Sequence, residues 1–586
     1  MANKIKFTSS NNENNYVNKI YNYSKTDSVE LSQFYNLDTN FFHKILNNKS
    51  QEDEILNLAE KTLSYLSKKL NQIYKVNFST DLWRVLLSPI IIYLTQSFWY
   101  NYYNLNLLNK KKKYIFQKYS FNHKFTNSRS VLNFLHSKKG NDYIIYLILK
   151  NNFNNLLLTE TSEDLIIPKN SFQSNIVILL KNLINYSYLF FNLLLSVFNN
   201  SLLMGIKSIS FKDKFYFKFN RDFSNKKNNI NENIKKIIDI DFPKISEDSD
   251  LSKRNEIIFK LISKNINSFL PLSIFKNFKK KLNTNNFIYN FFKLNQKKII
   301  IGPLIGGSDY LKILIFIHKL NNKQLIIHQH GGYYGLIDVF TTMNFIEYKS
   351  ADIFLTWGWS KHSNYQLNTI PLPVPYISKL KQKYFRKKRR PKELKKILFI
   401  GTEIPLFFNN YGNTISNDKI KIYINDKKQF LSNISNKYEI YYKPYFSNNT
   451  YKENKFIQNI DRKIKIINDN IENIFSDYDL FVVDHPSTLF NYCLGASVPT
   501  LFLFNEDIWT FSKEAIKEMQ MLKSLNIVFD NPFECAHFIN NKYFTNKIFD
   551  TKDKKNSKYL EAIINKYCNN SYDWQKIWNE KINNKK

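Results

Sequence analysis

The sequence predicts an α/β protein with two Rossmann-type domains, a helical N-terminal elaboration and a C-terminal helical tail. Three observations predict it. From residue 298 onward, short apolar runs alternate with stretches of helical period. Glycine and polar clusters follow directly after those runs, where a parallel sheet binds its ligands. A proline-rich basic stretch, 368–393, divides the alternation in two.

The elements follow in chain order. Residues 1–50 are polar and Asn-rich and read as a loosely structured lead-in. Ile55, Leu58, Ala59, Leu63, Leu66, Leu70 and Ile73 recur every three or four positions, which predicts an amphipathic helix over 51–75. Residues 83–108 read as a second, largely buried helix, and Tyr143–Lys150 and Asn155–Leu158 as strands or short buried elements. Residues 172–295 alternate helix-like stretches with Lys/Asn loops, so a helical insertion is expected at about 165–295 within a first domain of 51–370. Lys298–Pro303, Gln324–His328 and Ile353–Thr356 read as strands, with a helix over 310–320. The linker is placed at 371–393; the stretch around it holds four of the fourteen prolines. The second domain, 394–545, takes strands Lys396–Gly401, Tyr438–Lys443, Ile464–Ile467, Leu480–Val483 and Thr500–Phe504. The tail, 546–586, is helical with Trp574 and Trp578 four apart.

Composition narrows the function. The 586 residues hold 50 Phe and 38 Tyr, which argues against wholesale disorder, and three cysteines exclude a disulfide scaffold or a Cys-based zinc site. The formal charge of +36 suggests a polyanionic partner. Its excess is mostly Lys beside abundant Asn and Ile, residues that share AT-rich codons, so genome composition accounts for most of it. Nucleic-acid binding is disfavoured because Arg is scarce and no binding motif is visible. The N-terminus has no apolar core and is not a signal peptide. Leu86–Leu94 is too short to span a bilayer, and Ile176–Ile206 carries Lys181 and several Asn, so a buried or interfacial helix is expected there rather than a span. Lys110–Lys113, Lys279–Lys281 and Arg386–Arg390 are candidate contacts to anionic lipid. A cytoplasmic location follows, with a peripheral place on the inner membrane face.

Gln329-His330-Gly331-Gly332-Tyr333-Tyr334-Gly335 is the most concentrated signal, since three of the twelve glycines fall within five residues. Glycine at a strand end lets backbone approach a ligand, and a histidine there can take a proton near neutral pH. His330 is the first candidate base and His328 the second. Asp484-His485-Pro486-Ser487-Thr488 follows an apolar strand and precedes a helix-like run. Hydroxyls and free N–H groups at such a start suit a phosphate. Lys443 offers a cation beside Pro444. Glu347 and Asp352, before the third strand, are candidates to orient a substrate hydroxyl or the histidine. Asp239-Ile240-Asp241 is a DxD of the kind that holds a divalent cation, but one such triplet arises by chance in a chain this long, so no metal is assigned. HExxH, paired CxxC, Walker-type and GxGxxG patterns are absent, which disfavours nicotinamide and P-loop chemistry.

Two Rossmann-like domains, a Pro-rich linker and a helical tail resemble the two-domain glycosyltransferase plan called GT-B. Gln329-His330-Gly331-Gly332 with Gly335, then Glu347, Ala351-Asp352, Thr356-Trp357-Gly358-Trp359, then Asp484, Pro486-Ser487-Thr488 and Val498-Pro499-Thr500, resemble the O-antigen (surface-carbohydrate) biosynthesis transferases. Asp81–Pro89 resembles that family's YWRxLLGPW-type helix, and Asp573-Trp574 with Trp578 its closing DW…W. The similarity spans roughly 51–110 and 297–580. More distantly, these clusters resemble capsule Kdo transferases, polysialyltransferases and CDP-glycerol glycerophosphotransferases. The resemblance implies that His330 is the base; Glu347 and Asp352 stay catalytic candidates beside it, with an N-cap or salt-bridge role open for each. It also implies that Lys443, Asp484, His485, Ser487, Thr488 and Tyr492 hold the donor, while Gly331, Gly332 and Gly335 shape the turn. The expected reaction is sugar transfer from a nucleotide-activated donor to a lipid-linked or oligosaccharide surface-polysaccharide acceptor, inverting and metal-independent. No cofactor is expected, since the nucleotide sugar is a substrate. There are three departures: Lys443 stands where Arg is usual, Leu489 replaces a Thr, and Tyr492 replaces a Glu that typically holds a donor ribose. They keep two rivals open, a CDP-polyol phosphotransferase and a degenerate non-catalytic paralogue.

Overall fold

The structure is a computed structural model. Apart from single positions inside these ranges, it describes residues 5–7, 49–105, 114–120, 124–152, 156–164, 187–219, 253–304, 308–387, 394–403, 419–445, 463–541 and 554–584, with the isolated positions 415, 457 and 460. The expectations for most of 1–50, for Lys110–Lys113, for the Asp239–Asp241 triplet and for the basic side chains at 386–390 fall outside the described residues.

Strand β1 (Ile5–Phe7) precedes two long helices, α1 (Lys49–Tyr74) and α2 (Thr80–Leu105). The periodic residues of α1 are its buried face. Helix α2 is apolar nearly all round because neighbours cover it all round. Two of its polar side chains reach across to neighbouring elements: Arg84 lies buried and grips Glu60 with two hydrogen bonds of 3.0 and 2.8 Å, and Gln96 donates to Thr342 at 2.8 Å. No helix among the described residues is long and apolar enough to cross a membrane. Strands β2 (Tyr114–Ser120) and β3 (Leu156–Asp164) flank α3 (Lys138–Asn152) and form a small parallel sheet with β1. Tyr143–Lys150, expected as a strand or short buried element, therefore lies in helix α3. Its apolar run is buried among helices, where continuous hydrophobicity carries no period to tell strand from helix.

The first large sheet holds β4 (Ser201–Met204), then, past helix α4 (Phe278–Phe291), β5 (Lys298–Ile301), β6 (Leu325–His328), β7 (Ile353–Thr356) and β8 (Thr369–Pro371), all parallel and in sequential order. Helix α5 (Asp309–Leu320) makes the crossover from β5 to β6. Strand β4 corrects the expectation of a purely helical insertion at 165–295. Four buried residues suffice for an edge strand and are invisible inside a longer apolar stretch. Pro375–Lys387 is helix α6 rather than an extended linker, with Pro375 at its first turn, where no N–H is needed.

The second sheet takes β9 (Lys396–Ile400), helix α7 (Ile420–Asn433), β10 (Glu439–Lys443), β11 (Ile464–Ile466), β12 (Leu480–Val483), helix α8 (Thr488–Gly495), β13 (Thr500–Leu503) and β14 (Val528–Phe529). Its order is β11-β10-β9-β12-β13-β14, all parallel. This is the doubly wound arrangement, and it reverses direction between β9 and β12. The fold is thus α/β with two Rossmann-like parallel sheets.

Helices α9 (Lys554–Tyr567) and α10 (Trp574–Asn584) close the chain. Helix α10 returns to the first sheet. Trp578 is fully buried beside His328 and Phe217, donates to the Pro373 carbonyl at 2.8 Å, and lies in one apolar cluster with β4–β8 residues. The tail is therefore a clasp across the domains.

Two predictions follow from this packing. Trp578→Ala should lower stability by about 3–5 kcal/mol, read from the urea midpoint, whereas Tyr572→Ala, at an exposed position, should change it by under about 0.5 kcal/mol. Burial pushes both His318 and His328 down to about 3, with His330 adding to the effect on His328. Below about pH 6.5 the unfolded chain binds protons that the folded chain refuses. Stability should be full above that pH and fall toward pH 3 by about 1.4 kcal/mol per unit per histidine; His328→Phe should remove one histidine's share of the slope.

Candidate functional site

The site begins where β6 ends. Gln329 continues the strand, its N–H bonded to the Leu355 carbonyl at 2.9 Å, and its fully buried side chain becomes a hub. Gln329 Oε1 accepts from the Trp357 N–H at 2.9 Å and from Trp359 Nε1 at 2.8 Å; Nε2 donates to the Gly331 carbonyl at 2.7 Å. The Trp357-Gly358-Trp359 turn after β7 is thus fastened to the glycine loop after β6. Gly335, with φ of +75°, lets the loop lie against the Trp359 ring.

His330 projects from this loop with its side chain 30% exposed. Its Nδ1 lies 2.9 Å from Tyr334 Oη and 3.4 Å from Glu347 Oε1. Tyr334 donates its hydroxyl proton to Glu347 Oε2 at 2.6 Å. Glu347 is fully buried on a π-helical turn, Asn344–Tyr348, and also accepts from the Leu304 N–H at 3.2 Å. Burial, reinforced by Glu347, pushes the Tyr334 hydroxyl well above its ordinary value, so it stays a donor. With that proton committed to Glu347, the Tyr334 oxygen accepts from Nδ1–H. This fixes the tautomer and leaves Nε2 as the basic nitrogen.

His328, one residue before Gln329, is buried against Trp578 on the other side of the strand and cannot reach the loop's ligand. Asp352 is also corrected as a catalytic candidate. It precedes β7, accepts from the Leu325 N–H at 2.7 Å and pairs with Lys319 at 3.1 Å. It ties the amino ends of β6 and β7, at the opposite edge of the sheet from His330.

In the second sheet, β9 and β12 end at Gly401 and Asp484, on either side of the point where strand order reverses. Asp484 and His485 are both buried. Asp484 Oδ2 accepts from Tyr423 Oη at 2.8 Å and lies 3.4 Å from Lys427 Nζ, while Oδ1 is 3.0 Å from His485 Nδ1. These two residues brace the turn from within. Lys443 ends β10, one strand beyond β9, half-buried; loss of solvent lowers its pKa.

Ser487 and Thr488 start helix α8, half-buried. The Gly332 N–H donates to Thr488 Oγ1 at 3.1 Å. A Cβ on Gly332 would overlap Asn491 Oδ1 and the backbone of Ser487 and Thr488. The histidine loop of the first sheet and the helix start of the second therefore meet in one cleft. Tyr492, one turn along α8, is elsewhere: it stacks on Trp357 with ring centroids 6.0 Å apart, lies 4.4 Å from the Tyr376 ring, and sits under Lys207 Nζ at 5.0 Å. Lys207 also pairs with Glu472 of the second domain. Tyr492 is thus a domain-junction residue, which corrects its expected place among the donor-binding residues.

Gln329 and Tyr334 stand inside the legible motif, yet sequence reasoning gave them no role; Tyr334's spacing of four from His330 was the available signal. Lys427 and Tyr423 lie on or beside α7 with no local signature. Among the described residues no three His, Cys, Asp or Glu converge as metal ligands.

The glycine pair yields a contrast. Gly332→Ala should cut activity at least about ten-fold while circular dichroism stays native, because the Cβ separates the domains' facing edges. Gly331→Ala, whose Cβ would first meet Thr488 Oγ1 at an ordinary 3.5 Å, should retain most activity.

A model of the LIC12162 family transferases matches residues 15–582. None of the curated proteins matches the sequence significantly. Among solved structures, MurG of Acinetobacter baumannii aligns over 52% of this chain and 78% of its own, with 11% identity and a TM-score of 0.28. With its family model running over nearly the whole sequence, this chain belongs to the LIC12162 family of transferases.

Proposed function

We propose that this transferase is an inverting glycosyltransferase that moves a sugar from a nucleotide-activated donor to a surface-polysaccharide acceptor of the O-antigen or capsule kind, lipid-linked or oligosaccharide, at a cytoplasmic membrane face. The observation that carries the reading is the 3.1 Å contact from Gly332 to Thr488, which sets a tautomer-fixed histidine beside a helix start.

In this reading His330 Nε2 removes the proton from an acceptor hydroxyl as its oxygen attacks the donor's anomeric carbon. The bond from that carbon to the nucleotide phosphate breaks, and the phosphate leaves with the electron pair. The free N–H groups at the start of α8, with Ser487, Thr488 and Lys443, stabilise its charge. The imidazolium formed on His330 is balanced by Glu347, 3.4 Å from Nδ1. Internal bracing of Asp484 and His485 fixes the helix start before the donor arrives.

His330→Ala should lower kcat by about 10²–10⁴-fold while donor affinity, measured by isothermal titration, stays within about two-fold. Normal turnover would falsify the assignment. Tyr334→Phe keeps the packing and breaks the relay. It should lower kcat about ten-fold or more and shift the pH–rate profile, with KM for the donor little changed. Product mass separates sugar transfer from polyol phosphate transfer.

A further inference from the structure

The loop that carries His330 is paired with the second domain beyond Gly332. Past Gly335 it runs antiparallel to a segment that follows β13. The Asp338 N–H donates to the Thr510 carbonyl at 3.0 Å and the Ser512 N–H to the Leu336 carbonyl at 2.8 Å, with Ile337 facing Phe511. Ser512, fully buried, adds a bond from Oγ to the Gly335 carbonyl at 3.0 Å. At the other end of the contact Tyr333 packs on the Trp509 ring, centroids 5.8 Å apart.

Each side of this pairing is anchored in its own domain. Successive carbonyls of an extended chain point to opposite sides. The Ile337 carbonyl accordingly faces back into the first domain, 3.1 Å from His362 Nε2. Asn364 Nδ2 donates to the Asp338 carbonyl at 2.9 Å, and the Phe340 N–H to Tyr365 Oη at 2.8 Å. In the second domain the Asn505 carbonyl takes the N–H groups of Ile508 and Trp509 at 3.0 and 3.1 Å, and its Nδ2 donates to Asp426 Oδ2 of α7 at 2.8 Å. Ser512 itself starts the helix Lys513–Ser524, its carbonyl accepting from the Ala515 N–H at 2.8 Å.

The pairing lies in the chain between Tyr334 and Glu347, the two groups that set His330. Two domains of one chain move against each other by default unless a buried apolar contact holds them. Here Leu336, Ile337, Trp509 and Phe511 are all buried. Parting the domains uncovers these side chains. It also strips the partners from the N–H groups of Asp338 and Ser512, the Ser512 hydroxyl and the carbonyls of Gly335, Leu336 and Thr510.

We propose that the segment 509–512 of the second domain is the positioning element for the His330 loop, and that the two domains stay joined through it during turnover. The proposal rests on the reading of His330 as the base and names what holds it. Substrates then exchange through the cleft without the domains parting.

A cross-link tests it. Ile337 and Phe511 form a non-hydrogen-bonded antiparallel pair, whose Cα atoms lie about 4.5 Å apart, within the span of a disulfide. Ile337→Cys with Phe511→Cys should oxidise to a bridge between the domains, and the oxidised form should keep kcat within about two-fold of the same variant reduced. Oxidised enzyme that is inactive until reductant restores it overturns the proposal. Ser512→Pro keeps the φ of −63° but removes both bonds from Ser512, so kcat should fall about ten-fold or more while donor affinity by isothermal titration stays within about two-fold. Unchanged kcat in that variant overturns the positioning role. Hydrogen exchange on the wild type reads the pairing without any variant. The Asp338 and Ser512 amides should exchange as slowly as those of β6, and exchange at the rate of exposed loops overturns the proposal. None of these results bears on whether His330 is the base, which His330→Ala decides.

Discussion

The close approach of Gly332 to the start of α8 is the constraint on which the rest of the site depends. It requires a residue without Cβ, because the space is filled by Asn491 and the backbone of Ser487 and Thr488. It also requires the two sheets to be held at a fixed separation. The chain does this at several places. Helix α10 returns to the first sheet through Trp578, α9 lays its backbone against Gly358, and Tyr492, Tyr376, Trp357 and Lys207 fill the junction. In the proposed reaction the chemistry is bipartite, and the packing around it keeps the two facing edges together.

Within the first half-site, order passes inward from the exposed imidazole to buried groups. His330 is set by Tyr334, Tyr334 by Glu347, and Glu347 by the turn that also takes the Leu304 N–H. Gln329 holds the loop to the two tryptophans after β7. Each link is a hydrogen bond whose partner is already buried, so little reorganisation remains when a proton moves. The second half-site is built in the same way, with Asp484 and His485 facing Tyr423 and Lys427 inside the domain. Polar residues of a motif thus divide into those that face the cleft and those that hold the ones that do.

That division marks what the sequence could and could not convey. Most strands after 298 are legible because each is a short apolar run ending in glycine or polar residues; β8 and β14, three and two residues long, are too short to stand out. The roles of Asp352 and Tyr492 are not legible. A carboxylate before a strand and one after it look alike in sequence, but they sit at opposite edges of the sheet. A tyrosine in a motif position carries no sign of whether it faces a ligand or a tryptophan. Strand β4 and helix α3 were misread for a simpler reason: fully buried elements lose the periodicity by which strand and helix are distinguished.

The central claim is that one ligand engages both domains at once. Hydrogen–deuterium exchange with and without a bound nucleoside diphosphate tests it most directly. The account predicts slowed exchange in both 329–335 and 485–491 on binding, because the departing phosphate lies between the His330 loop and the start of α8. Protection confined to one of these segments, or to neither, would contradict it.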